Sequence, residues 1–213
     1  MFRNLIVLML SAAAVVAGVM LYLLWQHKSL PQQALVYPQP RNLSEFKLID
    51  QDNTVRRRAD LMNKWTLAFV GYTFCPDICP LTLAKLAGVR DELAAQVDQP
   101  LQIWFISVDP QRDTPGQLKQ YVDYFKQPAL TGLTAGHDQL FPFVRELGLM
   151  YAMSSTTEQD YLVDHSASVV LINPKGQVAA IFKPDMQPGE VPLVNREQLL
   201  NDFPRVLNQL QQR

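Results

Sequence analysis

The chain holds two cysteines, Cys75 and Cys79, and both lie in the stretch GYTFCPDICP from Gly71 to Pro80. Three residues separate them, and a proline follows each. Such a pair can be a disulfide, a redox couple or two arms of a metal clamp. Pro80 suits the first position of a helix, which places Cys79 at the N-cap and Cys75 at the end of the preceding strand. A helix starting at Pro76 would instead enclose Pro80, at a cost of about 3 kcal/mol. Unpaired N–H groups and the positive end of the helix dipole then favour thiolate over thiol. Thiolate is the form that attacks disulfides and the form that binds metal.

An inert staple explains the pair poorly. A bridge between residues so close in sequence encloses a tiny loop and constrains the unfolded chain little. Two thiolates suit copper(I) or zinc but seldom complete a site. Imidazole is the natural addition, and the chain has three histidines. His27 adjoins an apolar run and reads as an interfacial residue. His137 precedes a helix and reads as ordinary surface. His165 sits in VDHSA, just before an apolar segment. By composition alone it is a satisfied buried histidine, and the sequence places none of its atoms near Cys75.

The surrounding pattern alternates between strand and helix. FKLID (46–50) is a short strand followed by a turn in which Asn53 tolerates positive φ. WTLAFVGYTF (65–74) and LQIWFISVD (101–109) are almost wholly apolar, as strands buried on both faces are. Between them Leu86, Val89, Leu93 and Val97 form one helical stripe. Thr114, Pro115 and Gln117 make an N-terminal capping signature for a helix running to about Phe125. GLTAGH (132–137) is a short strand and turn, and 138–149 a short helix interrupted by Pro142. ASVVLIN and QVAAIF flank Pro174-Lys175-Gly176 as a hairpin. A final amphipathic helix buries Leu199, Phe203, Val206 and Leu210, with Pro204 as a possible kink. The expected fold class is α/β, a mixed sheet flanked by helices. A thioredoxin-like architecture fits, and other three-layer α/β folds fit the pattern alone almost as well.

Composition sets outer bounds. Of 213 residues 48% are hydrophobic and 18% charged, with net charge −1. No basic stripe of the kind nucleic-acid binding requires is present. Residues 5–25 carry no charge. As a helix they measure roughly 31 Å, enough to cross a bilayer core. The run exceeds the apolar core of a cleaved signal peptide, and no small-residue cleavage pattern follows it. Residues 1–28 are therefore expected to form a retained single-pass membrane anchor, residues 29–42 a proline-rich tether, and residues 43–213 the folded domain. Charges flanking the span are nearly balanced, so orientation rests on function as much as on the positive-inside rule.

With GYTFCPDICP, VDPQRDTP (108–115) and VDHSA (163–167) in that order, the chain resembles the SCO/SenC family of membrane-anchored copper proteins over roughly residues 43–210. Asn53 and Asn173 depart from the family's usual Gly and Asp at two turns. The resemblance implies a thioredoxin-like fold and a copper site formed by Cys75, Cys79 and His165. It implies delivery of copper to the binuclear site of cytochrome c oxidase subunit II. The expected location is the cytoplasmic (inner) membrane, with the domain on the periplasmic side. A copper donor and a thiol reductant are further expected partners. Asp77, Asp109 and Asp164 stand beside these motifs as candidate supporting groups. Asp164 competes with the rule that strand neighbours point to opposite faces. Arg112 and Asp113 read as a local ion pair. Two rival chemistries use the same cysteines: thiol–disulfide exchange, and a peroxidase or redox sensor. The latter lacks the expected activating Thr three residues before Cys75, where Tyr72 stands instead.

Overall fold

A computed structural model describes residues 2–29, 31, 33–153, 161–186, 189 and 191–212. The chain opens with helix α1 (Phe2–Ser29). Among the described residues no helix is long and apolar enough to cross a membrane. Several side chains of α1, Trp25 and His27 included, lie outside the described residues, so the span expected over 5–25 is only partly covered.

Strands β1 (Ala34–Asn42), β2 (Leu48–Asp50), β3 (Val55–Arg56), β4 (Trp65–Gly71), β5 (Leu101–Ser107) and β6 (Leu130–Thr134) precede a small hairpin, β7 (Tyr151–Met153) and β8 (Val163–His165). Strands β9 (Val169–Ile172) and β10 (Gln177–Phe182) follow. Eight of these form one sheet in the order β1-β10-β9-β4-β5-β6-β2-β3, and β7 pairs only with β8. Strands β4, β5 and β6 are parallel neighbours, and the others join antiparallel. Parallel neighbours need crossovers, which helices α2 (Ile78–Ala94) and α3 (Pro115–Asp123) supply. Helices α4 (His137–Glu146) and α5 (Arg196–Gln211) complete the layers.

The sheet takes in most of the stretch expected to be a tether. Leu35 pairs with Ile181 and Arg41 with Val178, with a shift of register between Val36 and Arg41. Pro38 and Pro40 fall inside that shift on an edge strand, where a missing N–H forfeits no ladder bond. Their presence argued for a linker only because their partner strand lies some 140 residues further along.

Alternation along β4 divides the core. Leu67 and Phe69 face one layer with Leu86, Val89 and Leu93 of α2 and Leu199, Phe203 and Val206 of α5. Ala68 and Val70 face the other with Trp104 and with Leu140, Phe143 and Val144 of α4. Thr114 caps α3 as expected, its Oγ1 accepting from the Gln117 N–H at 3.3 Å. The Gln117 amide donates to Thr73 rather than returning to the cap. Asn53 has φ 61° and Gly176 φ +67°, so both expected turns form. Helices α4 and α5 run through Pro142 and Pro204, each of which removes one intrahelical bond.

Candidate metal centre

Strand β4 ends at Gly71, and the loop that follows carries Cys75 into α2. The helix begins at Ile78 with Asp77 at its N-cap, two residues before the start that Pro80 suggested. First-turn N–H groups have no intrahelical acceptor, so Pro80 costs nothing as the third helical residue. Cys79 is thus the second residue of α2. It is fully buried, whereas Cys75 is partly exposed, and both thiols are free. A Cβ on Gly71 would lie 2.5 Å from the Cys79 sulfur and 3.0 Å from the Phe105 ring. Only glycine leaves room for that sulfur.

The third group arrives from the end of β8. His165 Nε2 lies 3.3 Å from Cys79 Sγ. The two sulfurs and the imidazole offer ligand atoms all within 4.8 Å of one another. Phe69 and Tyr72 meet the imidazole edge to face, each with ring centroids 5.9 Å away. His165 Nδ1 faces the Ser166 carbonyl at 3.3 Å. A carbonyl only accepts, so Nδ1 carries a hydrogen. Nε2 then offers its lone pair when the ring is neutral and a hydrogen when it is charged. Two soft sulfurs and one imidazole fit copper(I), and the nitrogen also tolerates copper(II).

The two thiols are electrostatically unequal. The Cys79 thiol donates to Cys75 and lowers its pKa to about 4, against the opposing effect of burial. The His165 ring and the backbone N–H groups of Cys79 and Asp77 assist. Burial pushes the Cys79 thiol up, and the neighbouring Cys75 sulfur adds to this. One proton shared by two sulfurs therefore resides on the inner one.

The expected supporting carboxylates separate into different roles. Asp77 is exposed and makes no side-chain cap bond; its backbone N–H serves Cys75. Asp164 is exposed, stands opposite Ala152 in the hairpin and is not among the grouped ligand atoms. Asp109 is buried but binds Arg112 and the Tyr161 hydroxyl. Arg112 thus pairs with Asp109, not with Asp113 as its sequence neighbour suggested. Asp113 accepts from the Thr73 N–H at 2.8 Å, the Thr73 hydroxyl at 2.6 Å and the Ser107 hydroxyl. It fastens the loop leading to Cys75. His137 is outside the group formed by Cys75, Cys79 and His165 and is half-buried, with Nδ1 2.9 Å from the Tyr151 hydroxyl. Tyr161 carried no signal of its own; Gly71 and Tyr72 lay inside GYTFCPDICP, and Arg112 and Asp113 inside VDPQRDTP, without a sign of what they would touch.

A family model described as SCO1/SenC matches residues 37–195. A protein of Stutzerimonas stutzeri is 37% identical over 144 residues, 68% of this chain and 70% of that protein. The mitochondrial protein SCO2 homolog of Bos taurus is 41% identical over 134 residues, 62% of this chain and 50% of that protein. This chain therefore spans half the length of that relative. The crystal structure of Arabidopsis thaliana ScoI with copper bound superposes with a TM-score of 0.64 at 32% identity, covering 80% of this chain and 98% of that one. The sheet order and its helical layers are thus those of a thioredoxin-like fold. On the family match and these relatives, the chain belongs to the SCO1/SenC family.

Proposed function

We propose that this protein is a membrane-anchored copper chaperone that loads the binuclear copper site of cytochrome c oxidase subunit II. The observation that carries the reading is the convergence of Cys75, Cys79 and His165, with ligand atoms within 4.8 Å of one another. Three ligands leave copper(I) an open position through which an acceptor's ligand can enter. His165 also lines a groove of about 620 Å³ with Phe141, Met150, Tyr151 and Asp164, a concave surface beside one of the three donors. The helical start of the chain and its uncharged run support a single-pass anchor in the cytoplasmic membrane. The reading places the folded domain on the periplasmic side of that membrane.

A second reading is favoured by the unequal thiols. The Cys75 thiolate attacks a target disulfide, forming a mixed disulfide and expelling one target thiolate. Cys79 then attacks the Cys75 sulfur, forming an internal disulfide and releasing the second target thiol. Two electrons pass to the target, and a separate thiol reductant resets the pair. Reduced target thiols are what copper requires, so the two activities are compatible.

The deciding experiment loads the full chain in detergent with copper(I) and measures bound metal. The unaltered chain holds one copper, and Cys75→Ser or Cys79→Ser holds none. His165→Ala loses most of its affinity but retains thiol exchange. Full copper retention in either serine variant would refute the chaperone assignment.

A further inference from the structure

The hairpin that carries His165 lies outside the eight-stranded ladder, so something other than main-sheet hydrogen bonds must hold the imidazole at the sulfurs. The molecule places one cation where the relevant segments meet. Arg112 follows β5 and lies outside the metal ligands. Its guanidinium carbon sits 3.7 Å from the Tyr161 ring centroid, 4.9 Å from that of Phe74 and 5.7 Å from that of Tyr72. Its Nη2 donates to the Tyr161 carbonyl at 3.0 Å. Its Nε donates to Asp109, whose other carboxylate oxygen accepts from the Tyr161 hydroxyl.

These contacts reach both halves of the site. Tyr161 is 5% exposed and lies four residues before His165 on the same short segment. Phe74 immediately precedes Cys75, and Tyr72 touches the His165 ring. Arg112 therefore grips the imidazole-bearing segment on its Tyr161 side and the thiol-bearing loop on its Phe74 side. A planar guanidinium stacks on one ring while its edges donate to a carboxylate and a carbonyl, which a lysine ammonium cannot do. Stacking of this kind strengthens as the ring is withdrawn from water, and Tyr161 is buried.

Resting on the copper reading above, we propose that Arg112 is a positioning residue for the metal site. It holds Tyr161 against Asp109 and Phe74 and thereby sets the reach of His165 to the sulfurs. Asp113 fastens the thiol loop independently and Phe74 is an exposed ring, so the effect of Arg112 on copper is exerted through the imidazole and vanishes when the imidazole is absent.

The test is a double-mutant cycle on the full chain in detergent, with copper(I) alone as the probe and a chromophoric copper(I) chelator as competitor. Arg112→Ala weakens copper(I) about 10-fold or more, as loss of groups that orient a ligand does. Arg112→Lys weakens it similarly, keeping the charge beside Asp109 without the stack, and it covers the case in which the alanine variant does not fold. Arg112→Ala combined with His165→Ala binds no more weakly than His165→Ala alone. Unaltered affinity in both Arg112 variants, full rescue by lysine, or a double variant showing the product of the two single losses would each overturn the role. Absence of copper(I) binding by the unaltered chain would overturn the copper reading itself, and this role with it.

Discussion

His165 Nε2 stands 3.3 Å from Cys79 Sγ although the two lie 86 positions apart in sequence. That approach depends on three independent local features. Gly71 vacates the space that the sulfur fills. The first turn of α2 tolerates Pro80. The β7–β8 hairpin turns the imidazole inward while Asp164 faces solvent.

The exposed thiol will behave as a thiolate well into acid. With its pKa lowered to about 4, Cys75 in the reduced, metal-free chain alkylates with iodoacetamide at a nearly constant rate from pH 8 down to 6. The rate then falls as pH approaches 4. An ordinary thiol, with pKa about 8.5, slows close to tenfold per unit below that value. Buried Cys79 stays unlabelled until the chain unfolds. Mass spectrometry of timed labelling reads both residues, and a steep loss at Cys75 between pH 8 and 6 would contradict the charge assignment.

Stability of the reduced, metal-free protein will depend on pH with opposite signs from the two sulfurs. Below about 8.5 an unfolded cysteine is protonated, while folded Cys75 stays ionised down to about 4. The unfolded state binds the extra proton in that window, so this group's contribution falls as pH drops through it. The Cys79 thiol is raised. Above about 8.5 the unfolded chain loses that proton and the folded chain keeps it, so stability falls as pH rises. Urea titrations across pH will show these two limbs diminished in Cys75→Ser and Cys79→Ser respectively.

Gly71→Ala will displace the inner sulfur. Its new methyl group would meet Cys79 Sγ at 2.5 Å and the Phe105 ring at 3.0 Å. Overpacking of this kind costs about 1–3 kcal/mol. Copper(I) affinity falls along with the urea midpoint. A variant of normal stability and normal affinity would show that the sulfur has space elsewhere.

Asp113→Ala will loosen the thiol loop from beneath. It leaves two donors on Thr73 and one on Ser107 without their acceptor. A buried unsatisfied group costs about 1–3 kcal/mol, and water can reach the half-buried Thr73, so a loss of about 1–3 kcal/mol is expected. Hydrogen exchange at Thr73 accelerates beyond what the global destabilisation explains. Exchange there that follows global unfolding alone would assign Asp113 to stability only.

Much of the frame was legible because periodicity reports burial. The apolar runs of β4, β5 and β9–β10 and the stripe of Leu86, Val89 and Leu93 all lie in the core. The Thr114 cap and the turn at Gly176 obey local rules that need no distant partner. Strand β1 was missed because its prolines argue locally for a linker, while its pairing with β10 is a long-range fact. The hairpin of β7 and β8 was missed because three-residue strands carry almost no pattern. At the site, spacing identified the thiols, and motif order identified His165 through resemblance. Pairing within VDPQRDTP was not legible. Adjacent residues suggested Arg112 with Asp113, whereas the turn sends Arg112 to Asp109 and Asp113 across to Thr73.

The small hairpin is separate from the main sheet, so the ladder does not fix the imidazole. Withdrawing His165 disturbs a two-stranded flap and the contacts at its root, while the ladder from β1 to β3 remains whole. One of the three donors stands on a strand outside the main sheet, and the other two stand on the loop and first turn that join β4 to α2. The third donor can therefore shift without loss of any hydrogen bond in the eight-stranded sheet.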